Sequence, residues 1–235
     1  KETIYTARPA LEIETAGFEV LGALLGLFTN AVEEREEHAR FTTRERLLLT
    51  TVELMDTENP EKVGVEMVLE KSGISKGSLY HHFEDFPSLL EAALVYRFHR
   101  VVDNSIALIA NTVATATTRE EFFADMEKVT AITHSREMTA IRFERARALG
   151  HAGTSERFKE ALGVEQQRLT LAFTDLVREA QNQGWVSNDI DPMAAAVFIQ
   201  AYTIGKLIDE VTAEPVDEQE WLKLIHRMVE RTFAP

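Results

Sequence analysis

The sequence predicts an all-α protein of about ten helices, and three observations indicate this fold class. Apolar residues recur at spacings of three and four along nearly all of the 235 residues, as on one face of a helix. The period-two alternation of half-buried strands is almost absent. Helix-start signals recur, with capping boxes over Thr118–Glu121 and Asp217–Glu220 and a cap followed by proline at Asp191-Pro192.

The composition is that of a globular protein without cysteine chemistry. Hydrophobic residues make up 45% of the chain and charged residues 27%. Because cysteine is absent, disulfides, thiolate catalysis and cysteine-ligated metals are excluded. The sequence has no signal-peptide pattern and no stretch near the roughly 18 apolar residues of a membrane span. We therefore expect a cytoplasmic protein without a membrane partner.

The first predicted helix carries an apolar seam over residues 18–32. Phe18, Leu21, Leu25, Phe28 and Val32 follow one another at helical spacing. The seam is too short for an independent coiled coil. We expect a helical extension over residues 1–41 that packs on the rest of the protein or on a partner subunit, and contact with another protein or with DNA is the alternative.

The following elements are delimited by helix-start and helix-stop signals. A helix is predicted from Thr42 or Thr43 to about Asn59-Pro60, because proline cannot continue a helix. A compact stretch with two glycines follows, and a long helical pattern begins after Pro87. Further helices are predicted to begin near Thr118, Ser135, Ser155, Asp191 and Asp217.

The segment from Arg44 to Leu94 resembles the DNA-binding domain of the TetR-type (tetracycline-repressor-like) regulators. The resemblance rests on Gly73-Ile74-Ser75-Lys76-Gly77-Ser78-Leu79-Tyr80-His81-His82-Phe83, on Leu89-Leu90, and on the helix Leu47–Met55 at the family's spacing. It implies a helix-turn-helix domain over residues 42–86 and a larger ligand-binding and dimerisation domain over residues 87–235. It also implies a ligand-responsive regulator, usually a repressor, that binds palindromic operator DNA as a homodimer.

The residues of this motif suit a helix that enters the major groove. Gly73 has the backbone freedom for the tight turn, and Ser75 can cap the helix that follows. By resemblance, Lys76 and Ser78 face base edges or nearby phosphates, while Tyr80 hydrogen-bonds a phosphate. The predicted DNA contacts are Arg44, Arg46, Ser75, Lys76, Gly77, Ser78, Tyr80, His81 and His82.

Three features depart from the family pattern. Phe86 stands where the family usually has a phosphate-binding lysine, and the segment Val63–Glu66 lacks both a cap and a cation. The net charge is −14, and residues 42–100 contain 7 basic and 10 acidic side chains. A protein–protein regulator that keeps the fold but has little or no DNA affinity is therefore the alternative.

The resemblance further implies that the helices after Asp191 pair with their copies in a second subunit, with intramolecular packing as the alternative. The expected dimer contacts are Ile204, Ile208, Trp221, Ile225 and Met228. We expect the effector, an apolar or amphipathic small molecule, to bind among the helices after Pro87. The candidate ligand contacts are Phe122, Met126, His134, Arg142, Phe143, Phe173, Phe198 and Tyr202.

An enzyme is not expected. The sequence contains no Gly-x-Ser-x-Gly, no glycine-rich phosphate loop, no Glu-x-x-His and no His-x-x-x-His. His81 and His82 are adjacent, but neighbours on a helix point about 100° apart, and no third ligand stands at a suitable spacing. We therefore expect no cofactor and no metal.

Overall fold

The computed structural model describes residues 41–58 and 60–235, apart from the side chains of residues 61 and 112–115. The described residues belong to one compact unit. The apolar seam predicted over residues 18–32 lies outside the described residues, as does the predicted extension up to residue 40.

All regular elements of the described ranges are helices, so the all-α prediction is confirmed. Two short 3-10 turns lie at Pro60–Lys62 and Arg136–Met138. The α-helices are α1 (Thr43–Thr57), α2 (Val65–Ser72), α3 (Lys76–His82), α4 (Phe86–Thr115), α5 (Arg119–His134), α6 (Thr139–His151), α7 (Glu156–Asn182), α8 (Pro192–Gly205), α9 (Leu207–Glu210) and α10 (Glu218–Phe233).

Most of the α-helices begin after a residue whose side chain caps the first turn. Thr118 forms the predicted capping box with Glu121, and the Asp191 carboxylate accepts the Ala194 N–H at 2.7 Å. At α10 the box is one-sided, because Asp217 accepts from the backbone but receives no reciprocal bond. Ser135 is a correction, since its side chain caps no helix and α6 begins only after the 3-10 turn.

Two hydrophobic clusters hold the described unit together, and α4 contributes to both. The first cluster joins α1, α2, α3 and the beginning of α4, where Leu89 and Ala93 are buried. The second joins the later part of α4 to α5, α6, α7, α8 and α10, with Phe98 and Val102 among its buried residues. Because a helix bends little, displacement of one half of α4 is transmitted to the other half.

A buried arginine links the same two regions electrostatically. Arg97 on α4 places its Nε 2.9 Å from the Asp56 carboxylate on α1 and 3.0 Å from the Glu144 carboxylate on α6. Arg100 adds a second contact to Asp56 at 3.2 Å. One guanidinium thus connects the helix-turn-helix region to the larger helical region.

A buried aromatic and polar cluster joins α5, α8 and α10. The His134 side chain is 1% exposed, and its Nδ1 accepts a hydrogen bond from the Trp221 indole at 2.8 Å. Because Nδ1 accepts, the proton of the neutral ring lies on Nε2, which is 3.3 Å from the Thr203 hydroxyl oxygen. Burial, assisted by the charges of Arg142 and Lys206, lowers the pKa of His134 to about 4.

The low pKa of His134 predicts a loss of stability in mild acid. The unfolded imidazole takes up a proton near its ordinary pKa of 6.5, whereas the folded one stays neutral down to about 4. The contribution of His134 is therefore complete above pH 6.5 and is lost as the pH falls through this window. Urea unfolding should show that the wild type loses about 2 kcal/mol more than His134→Asn between pH 7 and pH 4.5.

The asparagine keeps an acceptor for the Trp221 indole but cannot titrate in this range. His81→Asn is the matched control, because His81 is exposed on α3 and its substitution should leave the wild-type pH profile unchanged. Equal pH profiles for the wild type and His134→Asn would contradict the prediction.

Candidate functional site

The segment from α2 to α3 has the geometry of a helix-turn-helix. Gly73 ends α2 with a φ of 65°, and its N–H donates to the Leu69 carbonyl at 3.0 Å. The Ser75 hydroxyl then accepts the Ser78 N–H at 3.2 Å and caps α3. Leu79 is buried in the first hydrophobic cluster, which fixes the rotation of α3 about its axis.

This rotation leaves one face of α3 open to solvent. Lys76, Gly77 and His81 are exposed, and Tyr80 is 44% exposed, which is unusual for a large aromatic side chain near a core. Space around Gly77 is open, because a Cβ built there meets no atom within 4 Å. Ser78 and His82 are half-buried on the edges of the same face. The structure therefore brings together the predicted DNA contacts of α3.

The two predicted arginine contacts on α1 have different surroundings. Arg44 is exposed and lies over the Phe83 ring, with 5.0 Å between the guanidinium carbon and the ring centroid. Arg46 is half-buried, and its Nη2 donates to the Ser72 carbonyl at 2.9 Å. Arg46 therefore connects α1 to the end of α2. Its predicted contact with DNA stays a prediction.

The departures from the family pattern also have a structural explanation. Phe86 is half-buried at the beginning of α4 and packs against the first hydrophobic cluster. The position that carries a lysine in the family thus contributes to the core here. Gly64 precedes α2 without a side-chain cap, and Glu66 is exposed in the first turn of that helix.

Two of the candidate ligand contacts are closed off by internal partners. Arg142 is 2% exposed and donates to the Ser135 carbonyl at 2.9 Å, to the Thr139 hydroxyl at 3.1 Å and to the Glu210 carboxylate. His134 is equally closed, as described above. In this structure their polar atoms stabilise the helix junctions, and their assignment as ligand contacts stays a prediction.

The remaining ligand candidates do not form one group. Phe122 is buried against the Trp185 ring, with centroids 5.6 Å apart, and Phe143 is exposed on the outer side of α6. Phe198 and Tyr202 pack together at 5.6 Å, and the Tyr202 ring lies 5.3 Å from that of His134. Burial raises the pKa of the Tyr202 hydroxyl. Met126 and Phe173 are half-buried beside the second cluster.

The predicted dimer contacts are likewise divided. Ile208 on α9 is 78% exposed, while Ile204 and Met228 are half-buried. Ile225 is only 3% exposed within the single chain, so it cannot present its side chain to a partner without rearrangement. Trp221 is half-buried and committed to its hydrogen bond with His134. Within the single chain, α10 turns the side that carries these two residues inward, and their role as dimer contacts stays a prediction.

Sequence reasoning missed Arg145, which points into the larger helical region. Ile141, Arg145 and Ala148 follow one another at spacings of four and three on α6, and both apolar neighbours are buried. The sequence feature that could have indicated it is a charged residue between two apolar residues on one helix face.

Comparison with known proteins identifies the helix-turn-helix. Residues 47–93 match the family model described as bacterial regulatory proteins, tetR family. No curated protein matches the chain in sequence. In the described residues, no helix is long and apolar enough to cross a membrane.

Solved structures share the fold at low sequence identity. GusR from Salmonella enterica is 18% identical, with a TM-score of 0.59 over 81% of this chain and 95% of its own. A candidate TetR-family regulator from Rhodococcus sp. is 19% identical, with a TM-score of 0.58 over 81% and 98%. A candidate regulator from Saccharomonospora viridis, in complex with choline, is 15% identical, with a TM-score of 0.58 over 82% and 97%.

The described residues therefore define a helical protein with a helix-turn-helix domain. Residues 47–93 match the DNA-binding domain of the tetR family, and the described residues share the overall fold of solved regulators of low sequence identity.

The exposed face of α3 leads to a prediction about two of its side chains. Lys76→Ala should weaken DNA binding by about 1–3 kcal/mol. If the lysine contacts a base edge, the change should also relax the sequence preference at one base position. Tyr80→Phe should weaken DNA binding by about 1 kcal/mol on all sequences, because it would remove the predicted hydrogen bond from the Tyr80 hydroxyl to a phosphate. Fluorescence anisotropy with duplexes selected from a random library measures both effects.

Lys159→Ala is the control, because Lys159 is an exposed lysine on α7 that pairs with Glu156. It should bind DNA like the wild type. Wild-type affinity in both α3 variants would show that this face does not contact DNA.

Proposed function

We propose that the protein is a ligand-responsive transcription repressor in the cytoplasm that binds palindromic operator DNA as a homodimer. The observation that carries the proposal is the face of α3. A capped helix in a helix-turn-helix presents Lys76, Gly77 and Tyr80 to solvent, within the segment that matches the tetR family model. Such a helix can enter the major groove with its N-terminal residues against base edges.

Exposed apolar side chains at the C-terminal helices support the homodimer. Val197, Phe198, Ile208, Val211 and Leu224 are all exposed, and they lie within or beside α8, α9 and α10. Exposed apolar residues grouped in this way are typical of a surface that another protein covers. A two-fold axis through these helices would place two α3 helices on a palindromic site.

The connection between the two hydrophobic clusters supports a response to ligand. A small molecule that displaces α6 or the later part of α4 acts on Glu144 and Arg97, and Arg97 bonds Asp56 on α1. Two reading helices must stand roughly 34 Å apart to dock together on one DNA face. A small change in the tilt of α4 therefore suffices to alter DNA affinity.

An apolar or amphipathic effector fits the residues of the larger region. Phe173, Met126 and Tyr202 are half-buried beside or near the second cluster, where a ligand can reach them with less rearrangement than a closed core requires. The Saccharomonospora viridis structure holds choline, so this fold accommodates a small molecule in at least one relative of low identity.

A salt-dependent gel shift on DNA from upstream of the chain's own gene tests the proposed function. Specific binding should appear with a stoichiometry of two chains per site, and the affinity should fall linearly on a logarithmic scale with salt concentration. The acidic surroundings of α3, with Phe86 and Glu66, favour the alternative of a protein–protein regulator. Lack of binding even at low salt would support that alternative.

The exposed side chain of Ile208 gives a prediction about the dimer. Ile208→Glu should shift the protein to monomers, because pairing would bury a charge without a partner at a cost of several kcal/mol. Light scattering should show the monomer, and affinity for a palindromic duplex should fall accordingly.

Leu149→Glu introduces the same charge at an exposed leucine near the end of α6 and should leave the dimer intact. If Ile208→Glu remains a dimer that binds DNA normally, the subunits pair through another surface.

A further inference from the structure

Arg145 occupies a position on α6 that the helix otherwise gives to apolar residues. Ile141 stands four residues before it and Ala148 three residues after it, so the three side chains share one helix face. Both neighbours are buried, and Ala148 belongs to the second hydrophobic cluster. Arg145 therefore extends from the core-facing side of α6, whereas Arg147 on the same helix is exposed.

Within the part of the chain that the structure describes, the guanidinium of Arg145 has no hydrogen-bond or ion-pair partner. Its Nε is shielded from solvent and has no hydrogen-bond partner among the described residues, and no carboxylate there forms an ion pair with it. Burial lowers the pKa of Arg145 to about 10, and no acidic neighbour raises it again. The side chain is still charged at neutral pH. Arg142, only three residues away, is by contrast bonded to Glu210 and to backbone carbonyls.

A guanidinium nitrogen that has lost water without gaining an acceptor, as the Nε of Arg145 has, is unfavourable. Arg145 as a whole is only half-buried, so part of its surface remains accessible although it lies deep within the unit. The planar fork of five N–H donors matches the two oxygens of a carboxylate better than it matches any neutral group.

We infer that Arg145 binds the acidic head group of the effector, and that the effector is a monocarboxylate with an apolar body. The inference rests on the proposed function, because it names the chemistry of the ligand that the regulator senses. The second hydrophobic cluster supplies apolar surroundings for the body of the ligand. The net charge of −14 disfavours anions elsewhere on the chain, so preference for an anion would report a specific cationic site.

The site lies next to the connection to the DNA-binding domain. Glu144, the neighbour of Arg145 in the chain, bonds Arg97, which also bonds Asp56 on α1. A carboxylate drawn to Arg145 brings negative charge and bulk to this part of α6. The ion pair between Glu144 and Arg97 then responds to the ligand, and α1 and α4 follow.

The test uses the full chain and a series of sodium carboxylates from acetate to dodecanoate, with benzoate, all below micelle-forming concentrations. Octanol and octylamine replace the carboxylate by a neutral and a cationic head, and octyl phosphate tests a different acidic head. Binding is followed by calorimetry and by the fluorescence of Trp185 and Trp221. The variants are Arg145→Met, Arg145→Lys and the control Arg147→Met, which removes an exposed charge from the same helix.

We expect medium-chain carboxylates to bind the wild type and Arg147→Met with equal affinity. Octanol should bind both proteins more weakly than octanoate does. Arg145→Met should lose about 10- to 100-fold in carboxylate affinity, the range for a hydrogen bond to a charged group. Arg145→Lys should retain part of the affinity, because it keeps the charge but not the fork. Without ligand, Arg145→Met should melt at a higher temperature than the wild type, since an unpaired buried charge is gone.

Equal affinity for octanoate and octanol would overturn the inference. So would absence of binding throughout the carboxylate series, or an Arg145→Met variant that binds carboxylates like the wild type. A lower melting temperature of Arg145→Met with unchanged ligand affinity would identify a structural arginine. Tighter binding of octyl phosphate than of any carboxylate would overturn the carboxylate assignment.

Titration with and without bound DNA separates this inference from the proposed function. Carboxylate binding that depends on Arg145 but leaves DNA affinity unchanged would support the site and contradict the regulation. A neutral ligand that lowers DNA affinity equally in the wild type and Arg145→Met would support the regulation and contradict the site.

Discussion

The ion pairs of Arg97 are the polar contacts that connect the helix-turn-helix region, through α1, to the larger helical region, through α6. One guanidinium on α4 serves a carboxylate on α1 and another on α6, and all three side chains are largely removed from water. Desolvation raises the pKa of Glu144, and the nearby Arg97 opposes this change. Loss of either partner would leave a charge uncompensated, which is far costlier than loss of a surface pair. α4 and this contact therefore connect the helix-turn-helix region to the larger helical region.

Three arginines inside the larger region show how partners decide the role of a charge. Arg97 connects helices, and Arg142 closes the junction of α5, α6 and α9 through Glu210 and backbone carbonyls. Both arginines are engaged with acceptors inside the chain. Arg145 has the same chemistry in a comparable setting but no acceptor within the described residues. Its cost to stability is explained most simply by an acceptor that arrives from outside the chain.

Local signals made the helix-turn-helix predictable, whereas the larger region depends on contacts that sequence does not specify. Ser75, Gly73 and Leu79 act within a few residues of one another, so spacing alone identifies the turn, the cap and the inward face. The surroundings of the ligand candidates could not be predicted: Phe143 points outward and Phe122 packs against Trp185, because the rotation of each helix is set by distant neighbours. Sequence identifies aromatic residues but not the direction in which each side chain points.

The acidic character of the chain constrains how such a protein can bind DNA. Non-specific affinity comes mainly from cations that neutralise phosphates, and here Arg46 is engaged with Ser72 while Lys71 pairs with Glu53 at 2.7 Å. Lys76, Tyr80 and Arg44 remain exposed in the helix-turn-helix region. Under the proposed function, few phosphate contacts per subunit would give weak non-specific binding and a shallow salt dependence. Binding to an operator would then depend on base contacts and on two subunits acting together, which makes it sensitive to any ligand that changes their spacing.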